Sequence, residues 1–237
     1  MNRRGLGSSG AGVFAPGNVP GIIEWWQADL GVDTAAGVAW TGQLAGYVLE
    51  EATNYPDVNS ADATLNGLQT ISFVAANTDR LVLTGGPDRP APSTQSTYLY
   101  LLLKQDTWGS AAGIFSSGTQ NLAIFQSGST PNIAMNNNAT VNANAGAVVT
   151  QWSAVRALFS GSTGDTLICQ GTTATGSSAG VNNPGTTWVL GANGGQTTFS
   201  GITVYFAAII AGNPGSGAIS KLDGYLASRI GSSTPFT

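Results

Sequence analysis

The acidic residues are the starting point for any chemistry in this 237-residue chain, which has twelve of them and no histidine. Without histidine, the usual general base, the Ser–His and Cys–His nucleophile pairs and the commonest metal ligand are missing. Two carboxylates about 5–5.5 Å apart could still cleave a glycosidic bond by a retaining mechanism. Glu50 and Glu51 are adjacent, however, and an extended backbone would point them to opposite faces. Asp29 and Asp33 are four residues apart, but Gly31 lies between them and the stretch reads as a turn, so it does not place them on one strand face.

The single cysteine does not add a catalytic centre. Cys169 lies in the apolar stretch TLICQG, where a small buried side chain is expected and a reactive thiol is the alternative. The sequence therefore predicts no catalytic residue and a protein that is not an enzyme. A pair of acids brought together from distant strands is the alternative, and it would favour a glycoside hydrolase.

Metal and cofactor sites are not expected either. Calcium prefers several convergent carboxylates, whereas the acids of this chain are dispersed. The run Asn136-Asn137-Asn138 could offer oxygen ligands, but an asparagine run is more typical of a turn. No G-K-S/T phosphate loop, C-x-x-C or S-x-x-K motif occurs. We therefore predict no metal ion and no cofactor.

Stacking of a sugar on an aromatic ring is a chemistry that the composition allows. It needs one exposed ring and a few amide or hydroxyl groups, and the chain is rich in both. Trp108 lies between turn residues in KQDTWGSAAG, and together with Tyr47 and Trp26 it is a candidate glycan contact. The alternative for each ring is a place in the core, because buried aromatic area stabilises cores strongly.

Two adjacent tryptophans stand in the stretch IIEWWQADLGV. Alternation along an extended backbone sends Ile23 and Trp25 to one face and Glu24 and Trp26 to the other. The two indoles therefore cannot form one platform. We predict that Trp25 is in the core, and that Trp26 is covered by the N-terminal arm, a loop or a partner unless a glycan contacts it.

Charge and hydropathy exclude two classes of partner. Only 8% of the residues are charged, against roughly 25% in ordinary globular proteins, and the net charge is −4. The eight basic residues form no patch for phosphate backbones or anionic lipids. No apolar run approaches the ~18 residues of a transmembrane helix. We expect neither nucleic acid nor a membrane as a partner.

Residues 1–20 form a glycine-rich stretch with few large apolar side chains. Such a stretch is expected to be a flexible arm that becomes ordered on a partner. Arg3, Arg4 and Phe14 are the predicted docking residues of this arm. The N-terminus also lacks the apolar run of a secretory signal, so we expect synthesis without export.

The rest of the chain, residues 21–237, is predicted to be one nearly all-β domain. Short apolar runs alternate with turn residues at spacings that suit a sandwich. In one of them, WSAVRALFSG, Arg156 interrupts an apolar face, which predicts a half-exposed sheet there. Seven runs read as strands: 97–105, 113–118, 121–128, 152–161, 165–171, 186–195 and 202–210.

A closing helix is predicted near residues 217–230. Apolar residues step by three, four and four through SGAISKLDGYLASRIG, which is the spacing of one helix face. Ser216 can cap the start, and Gly231 suits the end. Gly224 in the middle costs about 1 kcal/mol relative to alanine, so the helix needs the body of the domain to pack against.

The order of several motifs resembles the concanavalin A-like lectin/glucanase domains, in the laminin-G-like jelly-roll branch common in phage structural and bacterial surface proteins. The motifs span residues 21–231 and are IIEWWQADLGV, AWTGQLAG, LNGLQTISFVAANTDRL, WVLGANGG followed by FSGITVYFAAII, and KLDGYLASRIG. The resemblance implies a two-sheet antiparallel jelly-roll sandwich with one short C-terminal helix and an extended N-terminal arm. Thr41-Gly42-Gln43 stands where many relatives have an aspartate, and the paired glutamates of the glucanases are missing. Neither catalysis nor calcium binding is therefore carried over.

Two functions follow from these features. The favoured hypothesis is a non-enzymatic phage virion structural protein: a capsid decoration, head-fibre or tail-associated subunit. It would be made in the host cytoplasm, form a homo-oligomer and dock on the major capsid protein or another virion protein. The missing signal peptide, the glycine-rich arm, the neutral surface and the resemblance favour it. The alternative is a glycan-binding, lectin-like module of a surface protein, and the two roles could coexist.

Overall fold

The computed structural model describes most of the chain, from Phe14 to the C-terminus. The described residues are 14–89, 94–128, 131–137, 140–146, 148–160, 164–176 and 183–237. The predicted docking residues Arg3 and Arg4 lie outside them. Within the described part, no helix is both long and apolar enough to cross a bilayer.

The described residues form two antiparallel sheets and one α-helix, which confirms the predicted all-β sandwich with a C-terminal helix. The strands are β1 (Ile22–Gln27), β2 (Val32–Asp33), β3 (Val38–Thr41), β4 (Val48–Glu51), β5 (Asp57–Asp62), β6 (Leu68–Phe73), β7 (Leu81–Leu83), β8 (Thr97–Gln105), β9 (Gly113–Ser117), β10 (Leu122–Ser127), β11 (Asn132–Asn137), β12 (Thr140–Gly146), β13 (Trp152–Phe159), β14 (Asp165–Cys169), β15 (Thr172–Gly176), β16 (Trp188–Leu190) and β17 (Ile202–Ala211). The helix is α1 (Ser216–Ile230), and 3-10 turns occupy Pro16–Asn18, Ala63–Leu65, Ala75–Asn77 and Thr234–Phe236.

The two sheets differ in what covers them. Sheet I has the order β15-β14-β13-β8-β17-β6-β5, and β1 pairs with the second half of β17 beyond β6. Sheet II has the order β12-β11-β10-β9-β16-β7-β4-β3-β2. Strand β8, at the centre of sheet I, is buried from Thr97 to Leu103, as expected of a strand that is covered on both faces. Cys169 is buried in the core, as predicted.

Helix α1 packs on the outer face of sheet I. Its buried residues are Ile219, Leu222, Leu226 and Ile230, the apolar stripe that the sequence predicts. The prediction of a half-exposed β13 is wrong, because α1 covers that face. Arg156 of β13 is buried there, and its guanidinium pairs with Asp223 at 2.9 Å.

The predicted last residue of α1 is confirmed, whereas the predicted N-cap residue is not. Gly231 ends the helix in the left-handed conformation, with φ +69°, as expected. At the other end Gly215, not Ser216, is the N-cap residue, and no side chain of the described residues caps the helix. Ser216 is therefore the first helical residue, so the prediction that it caps the helix is wrong.

Trp25 and Trp26 are both buried. Trp25 stacks on Phe206, with ring centroids 6.0 Å apart, and Phe206 in turn meets Tyr100 edge to face. Trp26 is fully buried, and its indole N–H donates to the Tyr47 carbonyl at 3.0 Å. Trp25 is in the core as predicted, and the loop 42–47 covers Trp26.

The described part of the N-terminal arm lies on the domain. Phe14 is half-buried and meets the ring of Tyr225 of α1 edge to face, with centroids 6.3 Å apart. Pro16 and Val19 are buried. From Phe14 onward the arm therefore packs against its own chain. Docking of the arm on a partner stays a prediction, and residues 1–13 lie outside the described residues.

Candidate functional site

The three aromatic residues predicted to contact a glycan do not form one site. Trp26 is fully buried, so its ring is not available to a ligand, and the prediction for this residue is wrong. The reason is the loop 42–47, which lies over it. Tyr47, on that loop, is half-buried.

Trp108 lies in the loop between β8 and β9, away from Trp26. Its neighbour Thr107 bonds to Gly201, whereas Trp26 pairs with Ala207. The two points are six residues apart along one chain segment, or about 20 Å at ~3.3 Å per residue. Trp108 is half-buried, and its indole nitrogen is enclosed without a hydrogen-bond partner in the described residues. The nitrogen is therefore not available to a ligand.

A different tryptophan is held in a position suited to binding. Trp152, the first residue of β13, is half-buried. Its indole N–H donates to the Thr64 hydroxyl at 3.0 Å, and that hydroxyl donates to Asp62 at 2.6 Å. The Lys104 ammonium lies 5.6 Å from the centroid of the ring, a cation–π contact. These contacts fix the orientation of the ring.

A cavity of about 300 Å³ opens beside Trp152. Lys104 does not line it, so the ammonium and the cavity lie at different parts of the ring. The described lining residues of the cavity carry no charge and combine apolar side chains with hydroxyl and amide groups: Thr64, Leu65, Thr150, Gln151, Trp152, Ile230, Ser232, Thr234 and Pro235. We call this the Trp152 cavity.

The backbone at the rim of the Trp152 cavity is strained. Thr150 has φ +70°, in the left-handed region that β-branched residues rarely adopt. Its N–H donates to the Gln105 carbonyl at 2.6 Å, which holds the turn in place. Strain of this kind costs about 1–3 kcal/mol and is concentrated at functional sites.

Another cavity, a groove of about 500 Å³, lies beside the turn between β2 and β3. Asp33, Glu50 and Glu51 line it, so it is acidic. Burial opposes ionisation of Glu51, but hydrogen bonds from Thr53 and the charge of Arg80 outweigh it and lower the pKa of Glu51. The described lining residues of the groove include no aromatic side chain on which a sugar could stack.

Most of the carboxylates form hydrogen bonds or ion pairs within the chain. Glu24 is fully buried and accepts backbone N–H groups, and Asp165 accepts from Ser160 and Asn137. The carboxylates that accept a hydrogen bond or ion pair from the chain are Glu24, Asp29, Asp33, Glu51, Asp62, Asp79, Asp106, Asp165 and Asp223. Among the described residues, no cluster of three or more His, Cys, Asp or Glu side chains is placed to hold a metal ion.

Sequence reasoning missed Trp152 and the exposed Tyr55. Tyr55 is 47% exposed in the turn before β5. Both follow or lie among turn residues, which is the signal that selected Trp108. The apolar pattern of WSAVRALFSG places Trp152 in a strand, but Trp152 is the first residue of that strand. A tryptophan at the end of a strand is more often half-exposed than one in the middle of it.

Comparison with known proteins identifies the fold but no family. No family model matches the chain, and no curated protein matches it. Among solved structures, Trypanosoma rangeli sialidase has a TM-score of 0.61 at 13% identity, over 90% of this chain and 34% of the sialidase chain. An arabinofuranosidase complexed with arabinofuranosyl-alpha-1,2-xylobiose has a TM-score of 0.61 at 14% identity, over 89% of this chain and 60% of that one.

A third similar structure is of botulinum neurotoxin type C, from work on its interaction with two ganglioside molecules. Its TM-score is 0.54 at 12% identity, over 90% of this chain and 53% of that one. The chain thus spans about a third to three fifths of the length of the structures it matches. At these identities the likeness shows the β-sandwich fold alone, which several proteins with different activities share.

Proposed function

We propose that this chain is a non-enzymatic carbohydrate-binding module, and that a sugar binds in the Trp152 cavity. The observation that carries the proposal is the oriented, half-exposed indole of Trp152 in a cavity whose described lining residues are all uncharged. This is the lectin-like alternative of the two functions that the sequence suggests.

The chemistry of the cavity suits a sugar. One face of a pyranose ring presents C–H groups that can pack on an indole, while its hydroxyls need donors and acceptors. Trp152 supplies the ring, and Gln151 and Ser232 supply polar groups beside it. Because Thr64 and Lys104 already fix the indole, binding loses little side-chain entropy.

Several similar structures come from proteins that are named for sugars. They include a sialidase, an arabinofuranosidase and a toxin studied with gangliosides. These names support the class of ligand and say nothing about its identity, because the similarity extends to the fold alone.

Binding without hydrolysis is proposed because no carboxylate is found among the described residues that line the Trp152 cavity. A glycosidase needs two acids beside the scissile bond. Asp62, which does not line the cavity, accepts from both the N–H and the hydroxyl of the lining residue Thr64. It is therefore occupied in holding the site together.

Attachment to a virion and assembly into a homo-oligomer stay predictions from the sequence. They are compatible with glycan binding, since a capsid or tail subunit can also contact a surface sugar. The comparisons do not bear on them.

The experiment is a glycan array with the purified chain, followed by calorimetric titration of the glycan that is retained. Trp152→Ala should weaken binding at least about tenfold, which corresponds to the loss of about 1.4 kcal/mol of contact energy. Tyr55→Ala is the matched control, because it removes an exposed ring outside the cavity and should leave the affinity unchanged. Retention of no glycan, or full affinity in Trp152→Ala, would overturn the proposal.

A further inference from the structure

A third cavity, of about 330 Å³, lies between the first turn of α1 and the outer face of β13 and β14. Leu158 and Ile168 give it an apolar floor, and Ser216 and Ser220 line it from the helix. Trp152 and Leu158 lie towards opposite ends of β13, so this cavity is separate from the Trp152 cavity. We call it the helix-start cavity.

The start of α1 presents unused hydrogen-bond donors. The first intrahelical bond runs from the Ile219 N–H to the Gly215 carbonyl. The N–H groups of Ser216, Gly217 and Ala218 therefore have no acceptor within the described residues, and no side chain caps them. No acidic residue occupies the first turn either. The positive end of this 15-residue helix is thus not balanced by a carboxylate of its own first turn.

A buried hydroxyl without a partner points to a ligand independently. Tyr98 lines the cavity and is only 7% exposed. Its hydroxyl has no hydrogen-bond partner in the described residues. The hydroxyl oxygen is not fully enclosed, so a ligand in the cavity can reach it. Burial raises the pKa of Tyr98 well above its ordinary value, despite the opposing charge of Arg156. The hydroxyl therefore stays protonated and can donate.

The charged groups that line the cavity, Arg156 and Asp223, are paired with each other. The Arg156 side chain is 10% exposed, and its Nη2 donates to Asp223 and to the Phe236 carbonyl. Its Nε has no partner in the described residues. Both oxygens of Asp223 are occupied, one by Arg156 and the other by the Tyr100 hydroxyl at 2.6 Å. The charge of Asp223 is thus balanced within the protein.

We infer that the helix-start cavity binds an oxyanion, the carboxylate or phosphate group of a small ligand. Within the described residues, the helix N–H groups and the Tyr98 hydroxyl are donors without acceptors, and Ser216 and Tyr98 both line the cavity. Backbone N–H groups at a helix start bind such anions well. The apolar floor formed by Leu158 and Ile168 can contact the rest of the ligand. This inference does not rest on the proposed sugar site at Trp152.

The test is nuclear magnetic resonance of the full chain labelled with ¹⁵N, titrated at constant ionic strength. The probes are inorganic phosphate and glucuronate, with chloride and glucose as controls. We expect saturable shifts of the Ser216, Gly217 and Ala218 amide signals with the two oxyanions and none with the controls. Tighter binding of glucuronate would identify a sugar acid as the ligand class, and tighter binding of phosphate a phosphorylated one.

Two variants separate binding from folding. Tyr98→Phe breaks no hydrogen bond in the described residues, and it should weaken binding about tenfold because a bond to a charged group is lost. Ser216→Asp places a carboxylate at the helix start, so it should abolish anion binding without lowering the melting temperature. Absence of saturable shifts, or equal affinities in the wild type and both variants, would overturn the inference.

Discussion

The carboxylate of Glu24 accepts the backbone N–H of Tyr47 at 3.0 Å, although 23 positions separate the two residues in the chain. The same side chain accepts the N–H groups of Trp25, Leu44 and Ala45 at 2.7 to 3.0 Å. A fully buried charge is thus satisfied by four backbone donors. By drawing the loop 42–47 over β1, Glu24 also encloses Trp26.

We predict that Glu24→Gln destabilises the protein by about 2–3 kcal/mol, because an amide NH₂ would face backbone N–H groups and leave some of them unpaired. Urea denaturation measures the change. Glu50→Gln is the control, since Glu50 is exposed and its replacement should change the unfolding free energy by less than about 0.5 kcal/mol.

A second variant tests the same clamp from the loop side. A Cβ on Gly42 would overlap the Glu24 carboxylate, so Gly42→Ala should also destabilise. If Glu24→Gln and Gly42→Ala both unfold at the urea concentration of the wild type, the clamp does not contribute to stability.

Gly224→Ala should stabilise the protein by about 1 kcal/mol. Gly224 is in the interior of α1, and a Cβ there would meet no atom within 4 Å. Alanine loses less backbone entropy than glycine on entering a helix. A thermal melt should show a higher midpoint, and an unchanged or lower midpoint would contradict the prediction.

Thr64→Val should weaken sugar binding several-fold without removing the ring of Trp152. Valine keeps the shape of threonine but cannot accept the indole N–H, so the ring loses one of the contacts that orient it. Calorimetric titration with the glycan retained on the array measures the change. The reading of Trp152 as a pre-oriented ring fails if the affinity of Thr64→Val equals that of the wild type.

Asp79→Asn should change how stability depends on pH. Burial raises the pKa of Asp79 above its ordinary value of 3.8, against a hydrogen bond from the Val74 N–H. The folded state therefore holds this proton more tightly than the unfolded state, and the wild type loses stability as pH rises from 3.8 through the folded pKa. Asparagine keeps an acceptor oxygen for Val74 and does not titrate.

The measurement for Asp79 is urea denaturation of both proteins at several pH values from acid to neutral. The unfolding free energy of Asp79→Asn minus that of the wild type should increase as the pH rises through this range. A difference that stays constant, or that moves in favour of the wild type, would contradict the pKa direction.

Cys169 should be unreactive in the folded protein. It is fully buried, and burial raises the pKa of its thiol to about 12, so little thiolate exists at pH 8. An aromatic disulfide reagent should label it only after unfolding in urea. Labelling of the native protein at the rate of the unfolded chain would show that the site opens.

The local features of this fold were predictable from sequence because they follow from neighbouring residues. The period of the apolar positions in SGAISKLDGYLASRIG predicts α1, and alternation in IIEWWQ predicts that Trp25 and Trp26 point to opposite faces. By contrast, β5 has the sequence DVNSAD without apolar alternation, and it is a strand because it pairs with β6.

The sites were decided by the tertiary structure alone. The Trp152 cavity joins residues near positions 64, 151 and 232, which no local pattern connects. Arg156 is buried because Asp223, 67 positions away, balances its charge. Periodicity shows which face a side chain takes, but burial depends on what packs against that face. The sequence therefore determined the elements and their faces, and the packing of distant segments determined which of those faces remain open to a ligand.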